Sequence, residues 1–355
     1  MNKPVVVLIG AGASYDSGDY DRARRPPLTR ELFTTPTAQK LLEMYTLARN
    51  AGIAIQRRMA SDSTIAFEQA LRDLQDDGYP HHRQMALAVA PFLQALLMEY
   101  SNDLQAHASR YSILVDELQK LPTPVYFISL NYDTLLDHQL SAFRQLNTLP
   151  DYIAQQGNWS LIKPHGSIAW YSEQPTLFSP AEPTADLVVN DDVIQCAPLA
   201  SLDLAQVRGR SDFPHQSTNR YPVIALPDGP KDRLLLPAPH RDHLLQALDG
   251  AYEIHLLVLG YSGLDTEVLD LIKNADCRIR RMTVVNANGE AALEVFDRMV
   301  NHGINKPIFE DVFDGSFKTW VEGDGLRKWV QEFNGPFESV VERDRMREIL
   351  REGTR

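Results

Sequence analysis

The sequence predicts an α/β fold: a doubly wound, Rossmann-like parallel sheet carrying a helical insertion and an irregular proline-rich insertion. Three observations carry that prediction. The apolar run Val5-Val6-Val7-Leu8-Ile9 stops at Gly10-Ala11-Gly12-Ala13-Ser14, as a buried strand does when it ends in a tight turn. Two later runs stop at small or polar residues in the same way: Phe127-Ile128-Ser129-Leu130-Asn131-Tyr132-Asp133 and Leu257-Val258-Leu259-Gly260-Tyr261-Ser262. Beyond residue 240, strand-like and helix-like segments alternate, which is the pattern of a parallel sheet covered on both faces.

Taken in order, residues 1–14 supply the first strand and its turn. The stretch 37–121 is helical, with apolar residues at three- and four-residue spacings over 38–48, 63–75 and 82–121. Pro122-Thr123-Pro124 closes this block and launches a strand over 125–130. Asp133-Thr134 then opens a helix over 135–146. Between 172 and 240, prolines from Pro175 to Pro239 interrupt any long helix, and short strands are expected. The regular pattern resumes with a helix over 241–252, a strand over 254–260, a helix over 266–274 and a strand over 282–286. The reading is one domain over 1–335, followed by a charged helix over 336–355.

Composition narrows the function classes. The 355-residue chain has 35 basic and 47 acidic residues, a net charge of −12. Such a surface repels nucleic acid, so direct nucleic-acid binding is not expected. An anionic dinucleotide is compatible, because backbone amides and a helix dipole supply a local positive field. No apolar run approaches the ~20 residues of a membrane helix, so no membrane association is expected. No signal peptide is evident, and the two cysteines, Cys196 and Cys277, form no disulfide framework. A cytoplasmic location follows from that reading.

The pair Gly10-x-Gly12 by itself says little. The dehydrogenase fingerprint wants a third glycine where Tyr15 stands, and an acidic strand end where Pro26-Pro27-Leu28-Thr29-Arg30-Glu31-Leu32-Phe33 reads as turn and helix. Hydride transfer is therefore disfavoured. The ordered set is more specific. Gly10–Ser14, Ser129-Leu130-Asn131-Tyr132-Asp133, Lys163-Pro164-His165-Gly166-Ser167, Gly260-Tyr261-Ser262 and Val284-Val285-Asn286 together resemble the sirtuins. They look most like the divergent sirtuin-like NADase domains of bacterial anti-phage defence, over most of the chain from Val5 to about Asn286.

The resemblance implies that NAD is the substrate. Gly10, Ala11, Gly12, Ala13 and Ser14 would cradle its pyrophosphate and Asn131 would position the nicotinamide ribose. His165 would be the catalytic histidine, while Gly260, Ser262 and Asn286 would hold the adenosine half. A free-running NADase would kill its host, so restraint by self-assembly into a homo-oligomer, by a separate partner or by both is expected, and the resemblance suggests a HerA-type hexameric ATPase or a short Argonaute-like protein as that partner. Deacetylating sirtuins carry a zinc ribbon of two Cys-x-x-Cys pairs, and a chain with two cysteines cannot build it. That puts protein deacylation in doubt, leaves NAD itself as the substrate and calls for no metal.

The chemistry fits these residue types. Cleaving the nicotinamide–ribose bond passes through an oxocarbenium-like state, and the departing pyridinium needs no acid. A carboxamide such as Asn131 accepts a hydrogen bond from water and donates one to a ribose oxygen. A near-neutral His165 bonds a ribose hydroxyl and moves a proton. Asp133 either caps the helix after Thr134, contacts substrate, or does both. Asp265 caps the helix from Thr266 or touches the adenine ribose, and Ser262 is a backbone cap or a ligand contact. His240 and His243 lack an evident third metal ligand. Two other readings remain: a regulatory subunit that binds NAD or ADP-ribose without turnover, and a zinc-free deacylase or ADP-ribosyltransferase using 172–240 as acceptor domain.

Overall fold

The structure is a computed structural model and describes residues 3–19, 24–62, 64–65, 67–105, 109–154, 157–173, 207–208, 220–224, 236–305 and 307–333. Most of the proline-rich stretch, the segment 336–355 and Cys196 lie outside the described residues. The described strands are β1 (Val5–Ile9), β2 (Val125–Ser129), β3 (Trp159–Ile162), β4 (Gly166–Glu173), β5 (Val207–Arg208), β6 (Arg220–Ile224), β7 (Glu253–Leu259), β8 (Arg278–Val285) and β9 (Phe309–Phe313).

Six of these form one sheet in the order β3-β2-β1-β7-β8-β9, with every pairing parallel. The chain builds outward from β1 to β3, then returns to the other side of β1. Ligands in such sheets bind beyond the strands' carboxyl ends, where the order reverses. Here that point lies between β1 and β7. The remaining strands, β5-β4-β6, make a small antiparallel sheet that begins directly after His165.

All five residues of β1 are buried, as expected of a strand covered on both faces. Val5, Val7 and Ile9 pack with Phe92, Leu114 and Trp320, on the face where the helical layer lies. Val6 and Leu8 pack with Leu244, Val268 and Phe296 on the other. This two-residue alternation settles the doubly wound architecture.

The helical layer differs in detail from expectation. It contains the helices Pro36–Leu42, Thr46–Ser61, Phe67–Asp76, Pro80–Gln105 and Arg110–Leu118. The second was missed because Gly52 weakens the pattern. The Phe33 ring occupies the place of its missing Cβ, with Cδ1 2.5 Å from where that atom would be. The long helix expected over 82–121 is divided at Ser109, whose Oγ accepts a hydrogen bond from the Tyr111 amide at 3.2 Å. Edge strand β9 and the helices Gly289–His302, Phe317–Glu322 and Gly325–Phe333 extend the fold beyond the segments read from sequence.

Candidate functional site

The residues singled out above stand at one edge of the sheet. Gly10 follows β1, Asn131 follows β2, His165 follows β3, Gly260 follows β7 and Asn286 follows β8. Because the strands run parallel, these are all carboxyl ends.

The glycines meet each other. Gly260 has φ +58°, and a Cβ there would lie 2.1 Å from the Ala13 amide nitrogen. A Cβ on Gly10 would in turn lie 2.6 Å from the Gly260 carbonyl oxygen. The Gly10 amide donates to the Leu259 carbonyl and the Gly12 amide to the Gly260 carbonyl, both at 2.9 Å. The β1 turn therefore needs glycine because the β7 turn presses backbone against backbone, and these two N–H groups are taken by protein.

Asn131 is packed over this turn and buried. Its Nδ2 donates to the Gly10 carbonyl at 3.1 Å and to Ser14 Oγ at 2.9 Å. A carbonyl only accepts, so the first contact fixes which end of the amide faces the turn. The carboxamide nitrogen is committed, and the expected donation from Asn131 to a ribose oxygen gives way to a purely accepting role for Oδ1. Asp133 accepts the Leu135 amide at 3.0 Å in an Asx-type turn just before the Leu135–Ser141 helix, whose N-cap position is Thr134 rather than the expected Asp133. Burial raises its carboxyl above the usual range, opposed by Lys163 and by hydrogen bonds from Leu135 and Ser14.

His165 is likewise buried, and its Nε2 is hydrogen-bonded to Asp265 Oδ2. Burial alone pushes an imidazole down. The negative charge of Asp265 and its hydrogen bond outweigh that, with Glu68 and Glu267 adding to them, and lift His165 to about 9. The near-neutral histidine expected from sequence is thus corrected: His165 is an imidazolium at neutral pH. Asp265 is held below the usual carboxylate range despite its burial, by His165 and by backbone bonds. Its other oxygen accepts the Val268 amide at 3.1 Å, so it also caps the Thr266–Lys273 helix. The Tyr132 ring lies edge-on to the imidazole, with centroids 6.3 Å apart, and Tyr132 donates its hydroxyl to Glu68 at 2.5 Å.

Gly166 explains why glycine follows the histidine. It has φ +80°, and a Cβ there would fall 1.9 Å from the Val223 carbonyl of β6. Ser262 is exposed, and its carbonyl accepts from Arg298 at 2.7 Å. Asn286 donates to the Tyr261 carbonyl at 3.0 Å and accepts from the Ala287 amide at 2.9 Å, so both ends of its amide are engaged with backbone.

Three participants escaped the sequence reading. Tyr111, from the helical layer, places its hydroxyl 3.0 Å from Ser14 Oγ. Lys163 is fully buried and donates to the Asp133 carbonyl at 2.5 Å and to Asp137 at 2.9 Å. Asp137 also accepts the Tyr152 hydroxyl at 3.0 Å. No sequence signal marks these contacts, since each joins residues far apart along the chain. Among the described residues, no group of His, Cys, Asp and Glu is arranged to hold a metal, and no helix is long and apolar enough to cross a membrane.

No family model matches the chain, and no curated protein matches it in sequence. Among solved structures, it is similar to a mutant Sir2 homologue in complex with ADP-ribose, at 14% identity and a TM-score of 0.37, covering 95% of each chain. It is also similar to a Sir2 enzyme from a study of mechanism and regulation, at 14% identity and a TM-score of 0.34, covering 94% of this chain and 92% of that one.

Proposed function

We propose that the chain is an NAD glycohydrolase that cleaves NAD to nicotinamide and ADP-ribose. The observation that carries this reading is the juxtaposition of strand ends: an oriented carboxamide after β2 and a charge-paired imidazolium after β3, beside the β1 glycine turn. The bond between ribose C1′ and the pyridinium nitrogen breaks with both electrons passing to nitrogen, which neutralises the leaving group. Water adds to C1′ and its proton leaves to solvent, giving nicotinamide, ADP-ribose and a proton. In this reading, Asn131 Oδ1 accepts a hydrogen bond from the attacking water and fixes its approach. His165 donates to a ribose hydroxyl. Its positive charge would oppose the cationic transition state if unaccompanied, and Asp265 cancels it locally.

The test is nicotinamide release from NAD, with purified protein alone and mixed with the product of the adjacent gene. Asn131→Ala and His165→Ala should each lower release by about 100-fold or more while circular dichroism stays unchanged. NAD left intact under both conditions overturns the reading. ADP-ribose binding by calorimetry without release would instead identify a regulatory subunit.

An unrestrained NADase depletes its own cell. We therefore place the activity in anti-phage defence, as a cell-suicide effector restrained by homo-oligomerisation or by a partner such as a HerA-type hexameric ATPase or a short Argonaute-like protein. A monomer in size-exclusion chromatography, unchanged by the neighbouring gene product, argues against that restraint.

A further inference from the structure

One side chain from the helical layer enters the hydrogen-bond network of the carboxamide. Tyr111 is the second residue of the Arg110–Leu118 helix and has 0% exposure. Its hydroxyl lies 3.0 Å from Ser14 Oγ and 3.5 Å from Asn131 Nδ2. Burial, reinforced by the negative charge of Asp133, pushes its phenol well above the usual range, so it stays a neutral donor.

The hydrogens follow by elimination. One hydrogen of Asn131 Nδ2 goes to the Gly10 carbonyl and the other to Ser14 Oγ. An amide nitrogen accepts nothing, so the Tyr111 hydrogen goes to Ser14 Oγ as well. Ser14 then turns its own hydrogen toward Asp133, one of the groups whose hydrogen bonds act on that carboxyl. In this arrangement every buried hydrogen has an acceptor. Were Ser14 free to rotate, its hydrogen would compete with that of Asn131 Nδ2, and the Gly10 carbonyl would be left to orient the amide by itself.

We infer that Tyr111 is a positioning residue for Asn131. By holding Ser14 as an acceptor, it adds a second anchor to the Gly10 carbonyl, so the carboxamide nitrogen stays turned to the glycine loop and the oxygen is left for a ligand. The helix is anchored for this task. The Arg110 amide donates to the Ser17 carbonyl at 2.7 Å, and its guanidinium bonds Glu322 at 2.6 Å and Asp19 at 2.6 Å. The Tyr111 ring also packs on Phe317, with centroids 5.5 Å apart. The Arg110–Leu118 helix thereby reaches the carboxamide through the Tyr111 hydroxyl.

The catalytic half of this inference rests on the proposed hydrolysis, whereas the geometric half does not. Tyr111→Phe keeps the ring and removes the hydroxyl. In the full-length protein, kcat for nicotinamide release should fall about tenfold with KM within about threefold of wild type. The side-chain amide resonances of Asn131, followed in asparagine-labelled protein, should shift or broaden. Adding Tyr111→Phe to Ser14→Ala should cost nothing further, since both act through one chain of bonds. An unchanged kcat or unmoved amide resonances overturn the inference. If wild-type protein releases no nicotinamide, the hydrolase reading fails separately, and the amide spectrum alone then upholds or overturns the positioning role.

Discussion

The ends of β2 and β3 are neighbours in the sheet, yet they handle charge in opposite ways. After β2, Asn131, Ser14 and Tyr111 form a buried network of neutral groups around a glycine carbonyl. After β3, His165 and Asp265 form an ion pair that spans the site to the start of another helix. These three neutral groups fix direction, and the network meets a titratable group only where Ser14 reaches Asp133. An ion pair fixes charge, and its state depends on a partner 100 residues away in sequence. Lys163 joins the two sides: two residues before His165, it bonds the backbone of Asp133 and the carboxylate of Asp137.

Breaking that strut is expected to have the largest effect. Asp137 has 7% side-chain exposure and Lys163 has none, so removing the ammonium leaves a buried carboxylate without its cation. Lys163→Met should cost about 3–5 kcal/mol of stability, read from denaturant midpoints. The double variant Lys163→Met, Asp137→Leu should recover part of that loss, because it removes both charges together. A single-variant loss below about 1 kcal/mol would mean that Lys163 does not tie the two strand ends together.

A smaller effect is expected where both sides rest on the β7 turn. Gly260→Ala puts a methyl group against the Ala13 amide at a backbone angle of +58°. Strain and overpacking together should cost about 2–4 kcal/mol. The displaced glycine turn should also weaken ADP-ribose binding, measured by calorimetry. Unchanged stability would show that the turn yields easily, and that the close approach of Gly10 and Gly260 is not what fixes the loop.

These features differ in how far the sequence revealed them. Strand ends were legible where apolar runs stop at glycine or asparagine, because these mark both the end of burial and the place where polar groups gather. Asp265 was readable as a helix cap, which it is through its bond to the Val268 amide. Its second bond, to His165, was not, because capping is a local pattern and the pairing depends on how strands β3 and β7 are ordered in the sheet. Lys163 reads as a surface residue by type, and only tertiary structure gives it 0% exposure. Tyr111 falls at a helical spacing that signals core, and nothing nearby in sequence indicates that its hydroxyl meets Ser14. The β3 strand was missed because it has four residues, and β9 because Glu310 and Asp311 interrupt its apolar residues.

The ion pair yields the smallest effect and the clearest sign. His165 is raised from 6.5 to about 9, so its contribution to stability is complete below about 6.5 and is lost as pH rises through about 9. Asp265 is lowered from 3.8, so its contribution is complete above about 3.8 and is lost as pH falls further. The pair therefore stabilises the fold between roughly pH 4 and 9. Asp265→Asn keeps an oxygen able to accept the Val268 amide but removes the charge. Burial then acts on His165 unopposed by its main partner, and the imidazole becomes neutral at pH 7.5. Wild type should lose about 1–2 kcal/mol between pH 8 and 10 that the variant does not lose. Nicotinamide release at pH 7.5 should fall about tenfold in the variant, with the alkaline limb near pH 9 abolished. Histidine resonances report the titration without turnover, so they separate the two claims. A His165 that still titrates near 9 in Asp265→Asn would assign its charge to Glu68 and Glu267 instead. The contrast between a neutral strand end and a charged one would then survive, but with a different residue responsible for it.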